Sequence, residues 1–550
     1  MMFFFSQCRQ VPGFVRQYRP RLLPEHLTLI VTLAFTLFYN QPFWHGALVG
    51  QRLDSPDTWA LIAGYATVLT SVQYVVFLFF VSQWTVKPLL ALLIVLAAAV
   101  SYFTGHYGTY FDTTMITNVL QTDTQEAREL FTNSFLLHMA IFALLPILLL
   151  FWVRVPASSC RRAILRRAGH LSFSVLLLFA SLFLTYQSLS PLMRTQPELR
   201  YLVTPGNAIV SLERVFTFRE KISPQERLPL GEDASTLTRE DQKPALLVLV
   251  VGETVRAANW GLNGYSRPTT PELAKRNVIN YSDVSSCGTS TAVSVPCMFS
   301  PLGRDDYDEA YIQQHESLLD VLTHAGINVL WLDNQSGCKG VCDGVASDSI
   351  SPDDYPALCE DGRCFDQALA EELKKRVKPG RGDTVVVLHE LGNHGPSYYQ
   401  RYPAQFRRFT PTCESADLGQ CAQQEIINSY DNAILYNDRV LSNITDFLGR
   451  QKDFAASMIY LSDHGESLGE KGLYLHGLPY AIAPDEQTQV PMIWWLSDAM
   501  RQRTGLDATC LRQQADQPRS QANLFHTVLG LMDVTTTVYQ PAQDIGRACR

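Results

Sequence analysis

Five apolar stretches open the chain, at roughly 26–44, 59–83, 88–104, 135–153 and 171–189. Each approaches the ~20 residues that span ~30 Å of hydrocarbon as a helix. A single such run would suit the core of a soluble protein, but five in succession with almost no internal charge predict membrane spans. After residue 190 the pattern changes. Residues 191–243 are polar, proline-dotted and include the charged stretch GEDASTLTREDQKP, which predicts a linker lying along the membrane surface. From 244 short aliphatic runs (PALLVLVVGE, INVLWLDN, DTVVVLHE, SMIYLSDHG and VPMIWWL) alternate with helical segments. Buried strands alternating with helices predict an α/β domain with a mainly parallel central sheet covered by helices. The expected organisation is a membrane domain of five transmembrane helices over 1–190, a linker over 191–243 and an α/β catalytic domain over 244–550.

Charge gives the orientation. Residues 1–190 carry 12 basic and 7 acidic side chains, the remainder 33 and 46, for a net charge of −8 over 550 residues. An acidic major portion excludes a general nucleic-acid binder, which needs a basic footprint. Within the membrane part, Arg9, Arg16, Arg19 and Arg21 precede the first span and Lys87 follows the second. Arg154, Arg161, Arg162, Arg166 and Arg167 lie between the fourth and fifth, whereas the opposite loops hold only Arg52 and Arg128. Positive charge stays inside, so five crossings put the N-terminus inside and everything after about 190 outside. The first apolar run then reads as an uncleaved signal-anchor.

Cysteine usage agrees with this sidedness. Cys8 and Cys160 fall on the inner side, and the other ten of the 12 fall outside. An even number in an oxidising compartment predicts disulfides. Pairing neighbours gives Cys287–Cys297, Cys338–Cys342, Cys359–Cys364 and Cys413–Cys421, leaving Cys510 with Cys549, although sequence alone does not fix connectivity. A zinc cluster of cysteines is disfavoured because no pair shows the two-residue spacing of zinc knuckles.

The polar residues of the α/β domain sit where such sheets bind ligands, beyond the carboxyl ends of strands. Glu253 ends the first run, His389 and His394 follow DTVVVL, and Asp463 and His464 end SMIYLSDHG. Any one of these could be a loop or capping group. Together, carboxylate and imidazole make a donor set suited to Zn²⁺ and acceptable to Mn²⁺. The segment Ser286-Cys287-Gly288-Thr289-Ser290-Thr291 precedes a predicted helix, whose N-terminus offers N–H groups to an anion. A hydroxyl there, beside a divalent cation, is an activated nucleophile. Spacing alone does not choose among Thr289, Ser290 and Thr291, and plain N-capping accounts for such a cluster equally well.

Five longer stretches carry a resemblance: SCGTSTAVSVPCMFS (286–300), DNQSGCKGVCD (333–343), LGNHGPSYYQRY (391–402), INSYDNAIL (427–435) and SDHGESLGEKGLYLHGLP (462–479). In these motifs, in their order and in the five preceding spans, the chain resembles the membrane-bound lipid A phosphoethanolamine transferases that confer polymyxin and colistin resistance. These belong to the alkaline phosphatase/sulfatase-like superfamily. The resemblance implies a zinc-dependent enzyme of the bacterial inner membrane with its catalytic domain in the periplasm. It implies Thr291 as nucleophile, with Glu253, Thr291, Asp463 and His464 holding one zinc tightly. Glu466, His394 and His476 match positions for a second metal or for substrate phosphate, and Lys339 matches a basic substrate contact. Asn118, Thr122 and Glu126, in MITNVLQTDTQEA, match lipid-substrate positions, and their i, i+4, i+8 spacing puts them on one helical face. One departure stands out: Gln335 occupies a place where some relatives carry Asn.

The reaction so implied moves phosphoethanolamine from phosphatidylethanolamine onto Thr291 and then onto a lipid A phosphate. The partners expected are the donor lipid, lipid A and membrane lipids, with no nucleic acid, and the protein is expected to be a monomer. Two alternatives keep part of this picture. One is a phosphoethanolamine or phosphoglycerol transferase acting on another envelope glycan. The other is a non-enzymatic metal-binding ectodomain in which Thr291 is only a helix cap.

Overall fold

The computed structural model describes residues 19–122, 124–221, 227–236, 242–380 and 382–550. Cys8, Arg9 and Arg16 lie outside them. The chain forms two compact units: residues 1–106 with 133–212, and residues 107–132 with 213–550. The excursion 107–132 therefore belongs with the second unit although it runs between two apolar helices.

In chain order the helices here are α1 (Pro24–Tyr39), α2 (Pro56–Phe80), α3 (Val86–Tyr107), the short α4 (Thr113–Gln121) and α5 (Thr124–Glu129), α6 (Asn133–Trp152), α7 (Cys160–Thr195) and α8 (Gly206–Lys221). Among the described residues four helices, α2, α3, α6 and α7, are long and apolar enough to cross a membrane. The first of the five expected spans is not among them. At the first site α1 runs 11 residues and adds a 5-residue π-helical turn. At ~1.5 Å per residue it reaches only ~24 Å. It stops at buried Asn40, whose side chain donates to the carbonyls of Phe35 and Thr204 and accepts from Thr204 N–H. Gln41 then starts a separate seven-residue helix with Pro42 in its first turn. The segment expected as linker begins inside the last turns of α7 and includes α8. The outer side of α7 exposes Phe179, Phe183 and Leu184, as a lipid-facing helix does.

The second unit is built on a seven-stranded sheet of β1 (Ala245–Gly252), β2 (Ile279–Tyr281), β3 (Asn328–Asp333), β4 (Ala346–Ser349), β5 (Thr384–His389), β6 (Ala455–Ser462) and β7 (Met492–Leu496), in spatial order β2-β7-β6-β1-β5-β3-β4. Its five strands from β6 to β4 pair in parallel; β7 pairs antiparallel with both β6 and β2, so the sheet is mixed. Every residue of β1 and β6 is buried, which is why both read as unbroken aliphatic runs. One face packs Leu247, Leu249 and Val251 against Phe299, Leu318 and Phe525. Each such fully buried side chain is worth roughly 1.5–3 kcal/mol. Two helices complete the frame: α9 (Thr291–Met298) and the 27-residue α10 (Gln423–Gly449).

The parallel register places the chemistry. Gly252 of β1 pairs with Ser462 of β6, and Val251 with His389 of β5. His389 in turn pairs with Asp333 of β3. Four strands thus end at one edge, each with a carboxylate or an imidazole at its end or the next position.

Candidate metal and nucleophile site

Glu253, Asp463 and His464 are fully buried, and each offers a donor atom within 4.8 Å of the others. Asp463 N–H is held by the Gly252 carbonyl at 2.8 Å. Asp463 Oδ1 accepts from the N–H groups of Thr254 (3.0 Å) and His464 (2.7 Å). Thr254 stands at φ 61°, a left-handed conformation that is costly for a residue other than glycine and held by its surroundings. Gly392, at φ 56°, passes so close that a Cβ there would meet the Glu253 carbonyl oxygen at 2.5 Å. The NHG loop can approach the first strand end only because that side chain is missing.

Thr291 is the first residue of α9. Its Oγ1 donates to Glu253, 3.2 Å from both carboxylate oxygens, and lies 3.5 Å from His464 Nε2. The neighbouring hydroxyls differ: Thr289 donates to the Leu478 carbonyl at 2.6 Å, and Ser290 Oγ has no hydrogen-bond partner among the described residues. The Cys287–Cys297 disulfide ties the loop before the helix to its last turn. Four more disulfides join Cys338–Cys342, Cys359–Cys364, Cys413–Cys421 and Cys510–Cys549, and Cys160 is free.

The donor set fits a metal ion. Asp463 Oδ2 is buried and accepts no hydrogen bond among the described residues, with His464 Nε2 3.2 Å away. Burial, then the neighbouring Asp463, pushes Glu253 upward, and burial holds Asp463 at about 6 against its backbone hydrogen bonds. Burial, with His476 beside it, lowers His464 to about 4, leaving a neutral imidazole able to ligate. Two carboxylates crowded together in a dry site, with an imidazole and a hydroxyl, make a borderline-hard donor set suited to Zn²⁺.

A second group flanks these residues. His394 Nε2 lies 3.0 Å from Glu126 of α5, and His476 Nδ1 lies 2.8 Å from Glu466, whose other oxygen accepts from Tyr398 at 2.5 Å. The His476 ring centroid is 4.4 Å from that of His464 and 5.2 Å from that of His394. Burial opposes the charges of both Glu126 and His394, yet each overrules it for the other: Glu126 falls to about 2 and His394 rises to about 9. Burial instead drives His476 down to about 4 and Glu466 up to about 7, toward their neutral forms. Lys339, at φ 53°, donates to Ser336 Oγ and O at 2.7 and 3.1 Å. With Thr117, Gln121, Arg214, Ala292 and Pro296 it lines a cleft of about 460 Å³ beside the Thr291 helix. Gln335 turns inward on its own loop, its side-chain oxygen accepting from Ser336.

Asn118, Thr122 and Glu126 do not share one helical face, contrary to the spacing. Helix α4 ends at Gln121, Thr122 is extended, and α5 starts at Thr124. The Thr122 hydroxyl takes the Asn118 carbonyl at 2.8 Å and closes the helix end. His389 stands apart from the three-residue metal group, its Nδ1 3.0 Å from Asp333. Asp333, Tyr398, Arg401 and Glu129 were not legible as site residues, although the first three lie inside recognised motifs.

This is the fold and site of a sulfatase-like domain, and the sulfatase family model matches residues 245–534. A second model, phosphoethanolamine transferase EptA/EptB, matches residues 69–219. Phosphoethanolamine transferase EptA of Escherichia coli K12 is 41% identical over 534 residues, covering 95% of this chain and 97% of that protein. Phosphatidylethanolamine transferase Mcr-1 of Escherichia coli is 36% identical over 537 residues, with coverage of 94% and 96%. The solved integral membrane lipooligosaccharide phosphoethanolamine transferase A of Neisseria meningitidis superposes with a TM-score of 0.93 at 37% identity, covering 96% of this chain and all of that one. The chain belongs to the phosphoethanolamine transferase family.

Proposed function

We propose that this protein transfers phosphoethanolamine from phosphatidylethanolamine to a phosphate of lipid A, lowering outer-membrane negative charge and so weakening polymyxin binding. The observation that carries the reading is the Thr291 hydroxyl resting on Glu253 and beside His464. Glu253, Thr291, Asp463 and His464 would hold zinc. That ion, when bound, supplies Lewis-acid stabilisation of negative charge on oxygen.

The chain's own residues carry the remaining steps. The hydroxyl proton of Thr291 passes to Glu253 as Oγ1 bonds to phosphorus. The phosphorus–glycerol bond breaks, and diacylglycerol leaves with a proton from His394, which Glu126 keeps protonated to about 9 against the cost of burial. A monoprotonated lipid A phosphate then returns a proton to His394 as its oxygen attacks the same phosphorus. The bond to Thr291 breaks, and Thr291 recovers its proton from Glu253. Lys339 and His394 offset the charge of the transferred phosphate, and His476 and Glu466 line its surroundings.

Both substrates are bilayer lipids, which accounts for the apolar helices. The arrangement we infer is a monomer in the inner membrane with five crossings, α1 serving as the first, the N-terminus inside and the catalytic unit in the periplasm. Expression in a polymyxin-sensitive Gram-negative host, followed by mass spectrometry of lipid A, tests the reading. A phosphoethanolamine adduct is expected; unmodified lipid A from cells with the protein correctly inserted would redirect it to another acceptor.

A further inference from the structure

Helix α5 carries two carboxylates three residues apart, on one face, and each meets a different part of the same catalytic loop. Glu126 contacts His394 Nε2 at 3.0 Å. Glu129 accepts from Arg401 Nη2 with both oxygens, at 3.0 and 2.8 Å, and pairs with Arg363 at 2.8 Å. Arg401 closes the circuit, because its Nε donates to the main-chain carbonyl of His394 at 2.6 Å. Arg401 is buried and Glu129 nearly so. Arg363 belongs to the small hairpin closed by Cys359–Cys364, and Gln125 donates to the Gly362 carbonyl of the same hairpin at 3.1 Å.

The geometry points to Glu129 as a positioning residue for substrate head-group recognition: through Arg401 it holds α5 and the His394 loop in register. The inference rests on the reading that a phosphoethanolamine group binds at Glu126 and His394. That group carries an ammonium suited to Glu126 and a phosphate suited to His394, so its arrival must part the two side chains. An excursion secured by Glu126 alone would then lose its anchor at the moment of binding. Glu129 is paired instead with Arg401 and Arg363, so the anchor it provides does not depend on the Glu126–His394 contact. A carboxylate that shares Arg401 Nη2 between its two oxygens and also pairs with Arg363 is held by charge-assisted hydrogen bonds, the strong kind.

The test uses the purified full-length protein, its Glu129→Gln and Glu129→Asp variants, and two soluble probes, O-phosphoethanolamine and inorganic phosphate. Calorimetric binding of O-phosphoethanolamine should weaken by about tenfold or more in Glu129→Gln, a coupling within the range of a shared network. Phosphate binding and zinc content should stay near wild type, and Glu129→Asp should recover part of the loss. With phosphatidylethanolamine as substrate, the change should appear in KM rather than kcat. Unchanged O-phosphoethanolamine binding, equal loss for both probes, loss of zinc, or no O-phosphoethanolamine binding by the wild type would each overturn the inference. Normal wild-type binding without turnover of the lipid would instead count against the proposed function and leave the role of Glu129 standing.

Discussion

Thr291 Oγ1 sits 3.2 Å from each carboxylate oxygen of Glu253, a residue 38 positions earlier at the end of the first central strand. Thr291→Ala should therefore abolish transfer. The stability cost should be small beside the ~5–15 kcal/mol of a folded domain, because the hydroxyl lost is a donor whose acceptor keeps the Thr254 hydroxyl at 2.6 Å. Thr291→Ser should retain part of the activity. Peptide mass spectrometry after incubation with phosphatidylethanolamine checks the site of attachment; an adduct on Thr289 or Ser290 would show a different nucleophile.

Thr289→Ala should behave in the opposite way. Its hydroxyl is spent on the buried Leu478 carbonyl, so the variant should lose about 1–3 kcal/mol of stability while the metal site keeps its ligands. Thermal melts paired with metal analysis separate the two effects, and loss of zinc by this variant would contradict the assignment.

The metal set makes its own prediction. Asp463→Asn and Glu253→Gln nearly preserve shape but remove a negative donor, so zinc content of the purified protein should fall sharply in both. Elemental analysis after dialysis measures this directly. Full transfer activity in protein stripped of metal would refute the zinc requirement.

Much of this site was visible beforehand because strand ends betray themselves: PALLVLVVGE and SMIYLSDHG each switch from aliphatic to acidic at the sheet edge. The choice of Thr291 over Thr289 was not visible from spacing, because it depends on which hydroxyl meets Leu478. The antiparallel course of β7 was hidden too, since VPMIWWL reads the same in either direction. Helix α1 falls short because Asn40 has a main-chain partner at Thr204, 164 residues away. The face expected of Asn118, Thr122 and Glu126 fails because a threonine hydroxyl can cap a helix end as readily as ride on it. Glu129 and Arg401 are 272 residues apart, and no local pattern announces such a pair.

The Glu126–His394 pair should be readable in the pH dependence of stability. Glu126 is depressed from 4.5 to about 2, burial being outweighed chiefly by His394, so its contribution is complete above 4.5 and is lost as pH falls through 2. His394 is raised from 6.5 to about 9, burial being outweighed by Glu126 and Glu253, so its contribution is complete below 6.5 and is lost as pH rises through 9. Both are present together between 4.5 and 6.5. Glu126→Gln removes the carboxylate and leaves burial and Arg401 against the His394 charge with only Glu253 in its favour, so the imidazole should lose its proton well below 9. Breaking a buried pair by removing one partner costs about 3–5 kcal/mol. The gap in unfolding free energy between wild type and variant should therefore be widest in that window and close above the His394 value. His476 and Lys339 also act on Glu126, but neither is removed by the substitution and both are common to the two proteins. Chemical denaturation of both proteins across the range measures the gap. A difference that stays constant through pH 9 would show that Glu126 does not hold a proton on His394.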